Sequence, residues 1–159
     1  MDLEAVGLSK WDLRLLKLAD HVAQWSKDPS TKVGAVIVDS ERRVVGMGYN
    51  GFPRGVADLP GRLTDRTEKL RFVVHAEVNA ILNAVRTVEG CCLYTTPMFT
   101  CGDCAKVVAQ AGILRVVSIQ KPLANITDWA LLMDTAQTIY DEAGIKYVRV
   151  TPEVLEHVE

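Results

Sequence analysis

The sequence predicts an α/β fold of three layers, α/β/α, around a mixed, mostly parallel sheet of five strands. Strand-like and helix-like runs alternate through the second half of the chain, which is typical of parallel strands joined by covering helices. Two adjacent strand-like runs nearer the N-terminus add an antiparallel hairpin. With 159 residues, 48% hydrophobic and 24% charged, residues 1–159 have the size and composition of a single globular domain.

The N-terminal region contains a predicted helix and the hairpin. Ser9 precedes the run KWDLRLLKLADHVAQW, in which apolar residues recur at spacings of three and four. Asp12 stands where a capping box requires an acid, so we expect the helix to begin just after Ser9. The β-rich runs VGAVIVD and VVGMGYN follow, and the short polar segment between them is typical of a hairpin turn.

Residues 51–71 are rich in glycine, proline and mixed charges, which predicts a long loop. Loops of this length in compact domains are usually functional or mobile. The stretch VVHAEVNAIL then predicts a helix that runs to about Arg86. Its apolar face would carry four residues, Val78, Ile81, Leu82 and Val85.

The remaining runs alternate between strand and helix. In chain order they are the strand CCLYTT, the helix CAKVVAQA, the strand RVVSI, the helix DWALLMDTAQTIYDEA and the strand IKYVRV. Gly112 and Gly144 stand where the two helices should end, as C-terminal glycines commonly do.

Charge and composition disfavour two kinds of partner, extended nucleic acid and membrane. The formal net charge is -2 and the pI about 5.9, so the chain has no overall positive field to attract extended nucleic acid. One or two local cations could still hold a small anion. The acidic N-terminus and the lack of an apolar run near the roughly 20 residues of a membrane span predict a cytoplasmic protein without membrane contact.

His75 and Glu77 are two ionisable residues in an otherwise apolar stretch. In the middle of a regular helix they would point in nearly opposite directions, since each residue turns the helix by about 100°. They can face one point only if His75 lies at the helix start, where the backbone leaves helical geometry. Unpaired amide groups at that position also favour a nearby negative charge.

Cys101 and Cys104 form a Cys-x-x-Cys pair at the predicted start of another helix. This spacing puts both sulfurs on one side, and helix N-termini lower thiol pKa values. One histidine and two thiolates suit Zn²⁺, and three protein ligands leave the fourth tetrahedral position open, as in catalytic sites. Glu77 would then carry protons between water and substrate.

Each half of this pattern also has an ordinary structural explanation. A histidine near a helix start can be a cap or a core residue, and a Cys-x-x-Cys pair can be redox-active or merely buried. The two halves together, each at a helix start and in this order, favour a catalytic zinc site over coincidence.

The sequence resembles the zinc-dependent deoxycytidylate (dCMP) deaminases of the cytidine deaminase-like superfamily. The motifs that carry the resemblance are His-Ala-Glu, the downstream Cys-x-x-Cys-Ala-Lys, and the upstream DPSTKVGAVIV and GYNGFPRG, and the similarity runs from about Ser26 to Val117. It implies the cytidine deaminase-like fold and hydrolysis of dCMP to dUMP with release of ammonia. It also implies a homo-oligomer, with a hexamer among the assemblies that it allows.

The resemblance implies a role for each matching residue. His75, Cys101 and Cys104 would bind zinc, and Glu77 would be the general acid and base. Five further residues would contact the nucleotide: Asn50 beside the deoxyribose, the amide of Ala76 at the pyrimidine carbonyl, Phe99 beside the base, and Ser30 and Lys32 near the phosphate.

One position departs from the family pattern. The family usually has proline immediately before the first cysteine, whereas this chain has Thr100 there. Threonine is a good N-cap, so we expect Thr100 to cap the helix that carries the two cysteines.

Three kinds of function remain open at this point. The first is a deaminase of a free cytosine nucleotide, with dCMP favoured over CMP and 5-substituted dCMP. The second is a tRNA adenosine deaminase, for which the charge distribution offers no basic approach surface. The third is a zinc-stabilised binding module without activity, which the presence of Glu77 disfavours.

Overall fold

The computed structural model describes residues 2–122 and 127–157, with side chains throughout except at 127–129 and 157. Its centre is one five-stranded sheet with strands in the order β2-β1-β3-β4-β5. The strands are β1 Gly34–Val38, β2 Val44–Tyr49, β3 Cys92–Thr96, β4 Arg115–Ile119 and β5 Lys146–Val150. β1 is antiparallel to β2 and to β3, whereas β3, β4 and β5 are mutually parallel. The predicted mixed, mostly parallel sheet and its N-terminal hairpin are confirmed.

The helices connect and cover these strands. They are α1 Lys10–Ala23, α2 Pro60–Thr64, α3 Arg66–Phe72, α4 Ala76–Leu82, α5 Gly102–Gln110 and α6 Thr127–Ala143, and a 3₁₀ helix spans Pro152–His157. Among the described residues, no helix has both the length and the hydropathy that a membrane crossing requires.

Two parts of the sequence prediction were wrong. Residues 51–71 are not one loop, because Pro60 begins α2 and Asp65 caps α3 by accepting a hydrogen bond from the Glu68 amide at 2.9 Å. α4 ends at Leu82 rather than near Arg86. The chain then turns along β2, and Leu82 and Val85, predicted on the buried face, are 74% and 84% exposed.

Side chains that alternate along β1 divide the core into two layers. Val36 and Val38 pack with α1 on one side of the sheet, whereas Ala35 and Ile37 pack on the side covered by α4, α5 and α6. Every residue of β1 is buried, as expected for an inner strand covered on both faces.

The start of α1 is held by the predicted capping box and by contacts that the prediction did not include. Asp12 accepts hydrogen bonds from the Ser9 amide and hydroxyl, at 2.7 and 2.8 Å. It also accepts from Tyr94 at 2.7 Å and from Arg115 at 2.6 Å, residues of the sheet. Burial alone would raise the pKa of Asp12, but the bonds from Arg115, Tyr94 and Ser9 outweigh it and lower the pKa.

Two glycines of β2 let α4 lie directly on the sheet. A Cβ at Gly48 would stand 2.3 Å from the Ala80 nitrogen, and one at Gly46 would stand 2.4 Å from the Ala80 carbonyl oxygen. Both obstacles are helix backbone, which cannot rotate away as a side chain could. Glycine at these positions therefore sets the distance between the sheet and the helix that follows His75.

We expect Gly48→Ala to destabilise the protein by about 2 kcal/mol or more, because the new methyl group forces α4 away from the sheet. Gly61→Ala is the matched control, since a Cβ there meets nothing within 4 Å. Chemical denaturation of the two variants and the wild type measures the difference. Equal stability of the two variants would show that α4 tolerates the displacement.

Candidate active site

His75 lies at the start of α4 rather than inside it. It is the N-cap residue, with extended backbone angles of φ -71° and ψ 155°. Glu77 is the second residue of the helix and is only 4% exposed. This is the arrangement in which a histidine and a glutamate two residues apart can face the same point.

Cys101 and Cys104 reach the same place from α5. Cys101 is the N-cap of α5, and its sulfur accepts a hydrogen bond from the Cys104 amide at 3.4 Å. The two sulfurs lie 3.4 and 3.2 Å from Nδ1 of His75. Thr100 therefore does not cap this helix, and the prediction that it would was wrong.

The spacing of the three side chains fits a tetrahedral metal ion. One ligand atom each of His75, Cys101 and Cys104 lie within 4.8 Å of one another. Zinc bonds of about 2.3 Å to sulfur and about 2.0 Å to nitrogen would separate such atoms by about 3.5 Å. The donor set, one imidazole and two thiols, is one that zinc prefers.

The electrostatics of the cluster stabilise one thiolate. A hydrogen bond from Cys104 lowers the pKa of Cys101 to about 4, against the opposing effect of burial and with help from His75. The same shared proton, together with burial, raises the pKa of Cys104. A divalent cation would take the place of that proton, because both sulfurs bind metal as thiolates.

Glu77 is a buried carboxyl group beside this cluster. Burial raises its pKa, and the opposing attraction of His75 does not cancel that effect. A raised pKa brings a carboxyl group closer to the pH range in which it can both accept and release a proton.

A cavity of about 410 Å³ opens from His75 and Glu77 toward the end of α1. Lys32, Arg66, Lys69 and Lys121 contribute cations to its wall, and Asp20 and Asp28 contribute carboxylates. Cavities of this size are typical of small-ligand sites.

The five predicted nucleotide contacts all line this cavity: Ser30, Lys32, Asn50, Ala76 and Phe99. Ala76 is the first residue of α4, so its amide has no partner within the helix. The assignment of these residues to particular groups of the nucleotide stays a prediction.

Two of these side chains are engaged within the protein. The Asn50 amide accepts from the Val33 nitrogen at 2.8 Å and donates to the Thr31 carbonyl at 2.9 Å. The buried Phe99 ring packs against Tyr140 and Tyr147, with centroids 6.0 and 5.6 Å away.

Sequence reasoning missed Asp28, Arg66 and Lys69. Asp28 has a local signal, because an aspartate two residues before a serine can accept that residue's amide and close a turn. Arg66 and Lys69 have no such signal in the sequence, since they lie in the segment that was predicted to be a loop.

Comparison with known proteins agrees with this geometry. Residues 9–120 match the family model described as the cytidine and deoxycytidylate deaminase zinc-binding region. The chain is 38% identical to the deoxycytidylate deaminase of Homo sapiens over 149 residues, covering 90% of this chain and 81% of that protein. An uncharacterised deaminase of Aliivibrio fischeri is also 38% identical, over 94% of this chain and 99% of its own.

Solved structures show the same fold. The dCMP deaminase of cyanophage S-TIM5 in apo form superposes with a TM-score of 0.66 at 26% identity, over 90% of this chain and 99% of that one. Its complex with dCMP and dUMP gives a TM-score of 0.64 at 29% identity, over 85% and 93% of the two chains. A three-layer fold with a His-Cys-Cys site and a buried glutamate defines the class of zinc-dependent deaminases. Within that class, the chain belongs to the cytidine and deoxycytidylate deaminase family.

We expect the purified protein to contain about one zinc ion per chain, and Cys101→Ala and Cys104→Ala to lose it, because each removes one of three ligands. Cys91→Ala and Cys92→Ala are matched controls, since these thiols lie outside the cluster. Elemental analysis of the dialysed proteins measures the content. Zinc retained in both cluster variants would place the metal elsewhere.

Proposed function

We propose that this chain catalyses the zinc-dependent hydrolytic deamination of dCMP to dUMP, with release of ammonia. One observation carries the proposal: the buried Glu77 carboxyl group and the His-Cys-Cys cluster share one end of a nucleotide-sized cavity whose wall also carries cations. The similarity to deoxycytidylate deaminases over most of the chain supports the same conclusion.

In this proposal His75, Cys101 and Cys104 hold the zinc ion. When bound, zinc acts as a Lewis acid that lets water react as a nucleophile near neutral pH. The positions of His75 and Cys101 as N-caps fix the two ligand-bearing backbones before either helix begins, so the site does not depend on a flexible loop.

Glu77 is the proposed proton carrier. Its carboxylate takes a proton from the attacking water and delivers it to a ring nitrogen of the cytosine. It then takes the second proton from the added hydroxyl group and delivers it to the departing amine, which leaves as ammonia. The raised pKa supports this double role, because a carboxylate of ordinary acidity would be a poor donor at neutral pH.

The remaining contacts follow from the wall of the cavity. We assign the Ala76 amide to the pyrimidine carbonyl, Asn50 to the deoxyribose and Phe99 to the base. Ser30 and Lys32 are assigned to the phosphate. Support comes from their shared cavity and, for Lys32, from its charge.

A panel of cytosine, adenine and guanine nucleosides with their mono- and triphosphates tests the substrate. Ammonia release with a clear preference for dCMP would support the proposal. A preference for CMP or a 5-substituted dCMP would show that another cytosine nucleotide is the substrate. Activity only on folded tRNA would show that the substrate is a nucleic acid and not a free nucleotide.

We also propose that the chain acts in the cytoplasm and as a homo-oligomer. All four cysteines are free thiols, which a reducing compartment maintains. Leu82 and Val85 are exposed at the end of α4, beside the edge strand β2, where the Val85 amide donates to the Val45 carbonyl at 3.0 Å. Two exposed apolar side chains three residues apart at a sheet edge suit a contact between subunits.

We expect Glu77→Gln to lower kcat at least a hundredfold while zinc content stays at the wild-type level, because the amide keeps the shape of the side chain but cannot carry the proton. Steady-state ammonia release measures kcat, and elemental analysis of the same preparation measures the zinc content. Activity that survives the substitution would remove Glu77 from the mechanism.

We expect the double variant Leu82→Glu/Val85→Glu to have a smaller assembly mass than the wild type in light scattering, because two charges would be buried at the subunit contact. Leu114→Glu, at a residue that is 60% exposed away from this edge, is the control and should leave the mass unchanged. A wild type that is monomeric, or a double variant of unchanged mass, would contradict the proposed contact.

A further inference from the structure

Lys69 is the only buried residue that α2 and α3 contribute in the described structure. Its Nζ lies 2.9 Å from the Asp28 carboxylate, and both side chains are about one-tenth exposed or less, at 10% and 8%. A buried lysine without a partner would be strongly unfavourable, so this ion pair is what allows the side chain to enter the interior.

One carboxylate oxygen of Asp28 accepts several hydrogen bonds. Its Oδ1 accepts from the Ser30 nitrogen at 2.8 Å, the Ser30 hydroxyl at 3.0 Å, the Thr31 nitrogen at 3.0 Å and Lys69 at 2.9 Å. Burial would raise the pKa of Asp28, but the bonds from Thr31, Ser30 and Lys69 lower it overall. The carboxylate therefore stays charged and holds the loop at 28–31 in one shape.

The Ser30 hydroxyl already makes two hydrogen bonds within the protein. It donates its one proton to Asp28 and accepts from Lys69 at 2.6 Å. A phosphate oxygen needs a donor, so Ser30 can make the phosphate contact assigned above only if its hydroxyl turns away from Asp28. Lys69 is likewise neutralised by Asp28, which leaves the phosphate to cations that are not paired in this way.

Arg66 is such a cation. It stands three residues before Lys69 on α3, hence on the same side of the helix, and it lines the same cavity. Arg66 is exposed and makes no ion pair within the described part of the chain. The position of Arg66 therefore depends on where the Lys69 ion pair holds α3.

We propose that Lys69 is a positioning residue that anchors α3 to the Asp28–Ser30 loop, and that Arg66, held in place by this anchor, contacts the phosphate of the nucleotide. The inference rests on the proposed function and deepens it, because it assigns selectivity for a nucleotide over a nucleoside to the α3 segment. Guanidinium groups suit phosphate because they can donate two parallel hydrogen bonds.

The test compares kcat/KM for dCMP and for deoxycytidine, and uses their ratio as the readout. Arg66→Gln should reduce the ratio about ten- to a hundredfold, mainly through KM for dCMP, since it removes a charge-assisted contact. Lys69→Met should reduce it about tenfold. A variant that is merely less folded would lose activity on both substrates and leave the ratio unchanged.

The double variant separates positioning from direct contact. If Lys69 acts through Arg66, Lys69→Met/Arg66→Gln should fall within about twofold of Arg66→Gln alone. If the double variant instead shows the product of the two single-variant losses in the ratio, Lys69 does not act through Arg66 and the positioning role is wrong. Lys27→Met is the matched control, because it breaks an exposed 2.6 Å pair with Asp58, two residues before α2, and it should leave the ratio unchanged.

If Lys69→Met does not fold, hydrogen exchange on the wild type still tests whether α3 responds to the phosphate. Amide hydrogen exchange across α3 should slow with dUMP and not with deoxyuridine, since only the former carries the phosphate. Equal protection by both ligands, or an unchanged ratio in Arg66→Gln, would overturn the inference. A wild type without deaminase activity on any nucleotide would instead contradict the proposed function.

Discussion

The meeting of two helix N-termini is the constraint on which the site depends. α4 and α5 flank β3 in the chain, and each begins at a residue with extended backbone whose side chain turns into the same space. His75 and Cys101 are those residues. The hydrogen bond from the Cys104 side chain lowers the pKa of Cys101 most, and the Cys104 amide at the helix start lowers it further. A site built on two helix starts is rigid because the sheet holds both helices.

The close contact between β2 and α4 fixes the position of the helix that follows His75. Gly46 and Gly48 place the helix backbone against the strand, and the side chains of Asn79 and Asn83 donate to carbonyl groups of β2 at 2.8 and 3.3 Å. On the other face of the sheet, Asp12 joins the start of α1 to β3 and β4. The metal cluster therefore rests on elements that are fixed from both faces, and it needs no movement to assemble its three donors.

The other end of the cavity is built differently. A net of polar contacts centred on Asp28 holds the loop, and the chain that supplies Lys69 and Arg66 contributes few buried groups of its own. Such a segment has low local stability apart from its ion pair. The metal cluster thus lies on the rigid part of the molecule, whereas the proposed phosphate contact of Arg66 lies on a segment held by one buried ion pair.

Much of this could be predicted from the sequence, because the patterns involved are local. Periodicity predicts α1 and the alternating C-terminal elements, the capping box predicts the start of α1, and the spacings of His75 with Glu77 and of Cys101 with Cys104 predict which side chains could share a metal. Only the tertiary structure decided that α4 ends at Leu82 and that Thr100 is not the cap. It alone showed that Lys69 is buried against Asp28, 41 positions away. Sequence patterns carry the preferences of neighbouring residues, whereas the burial of a charge is decided by partners that only folding brings together.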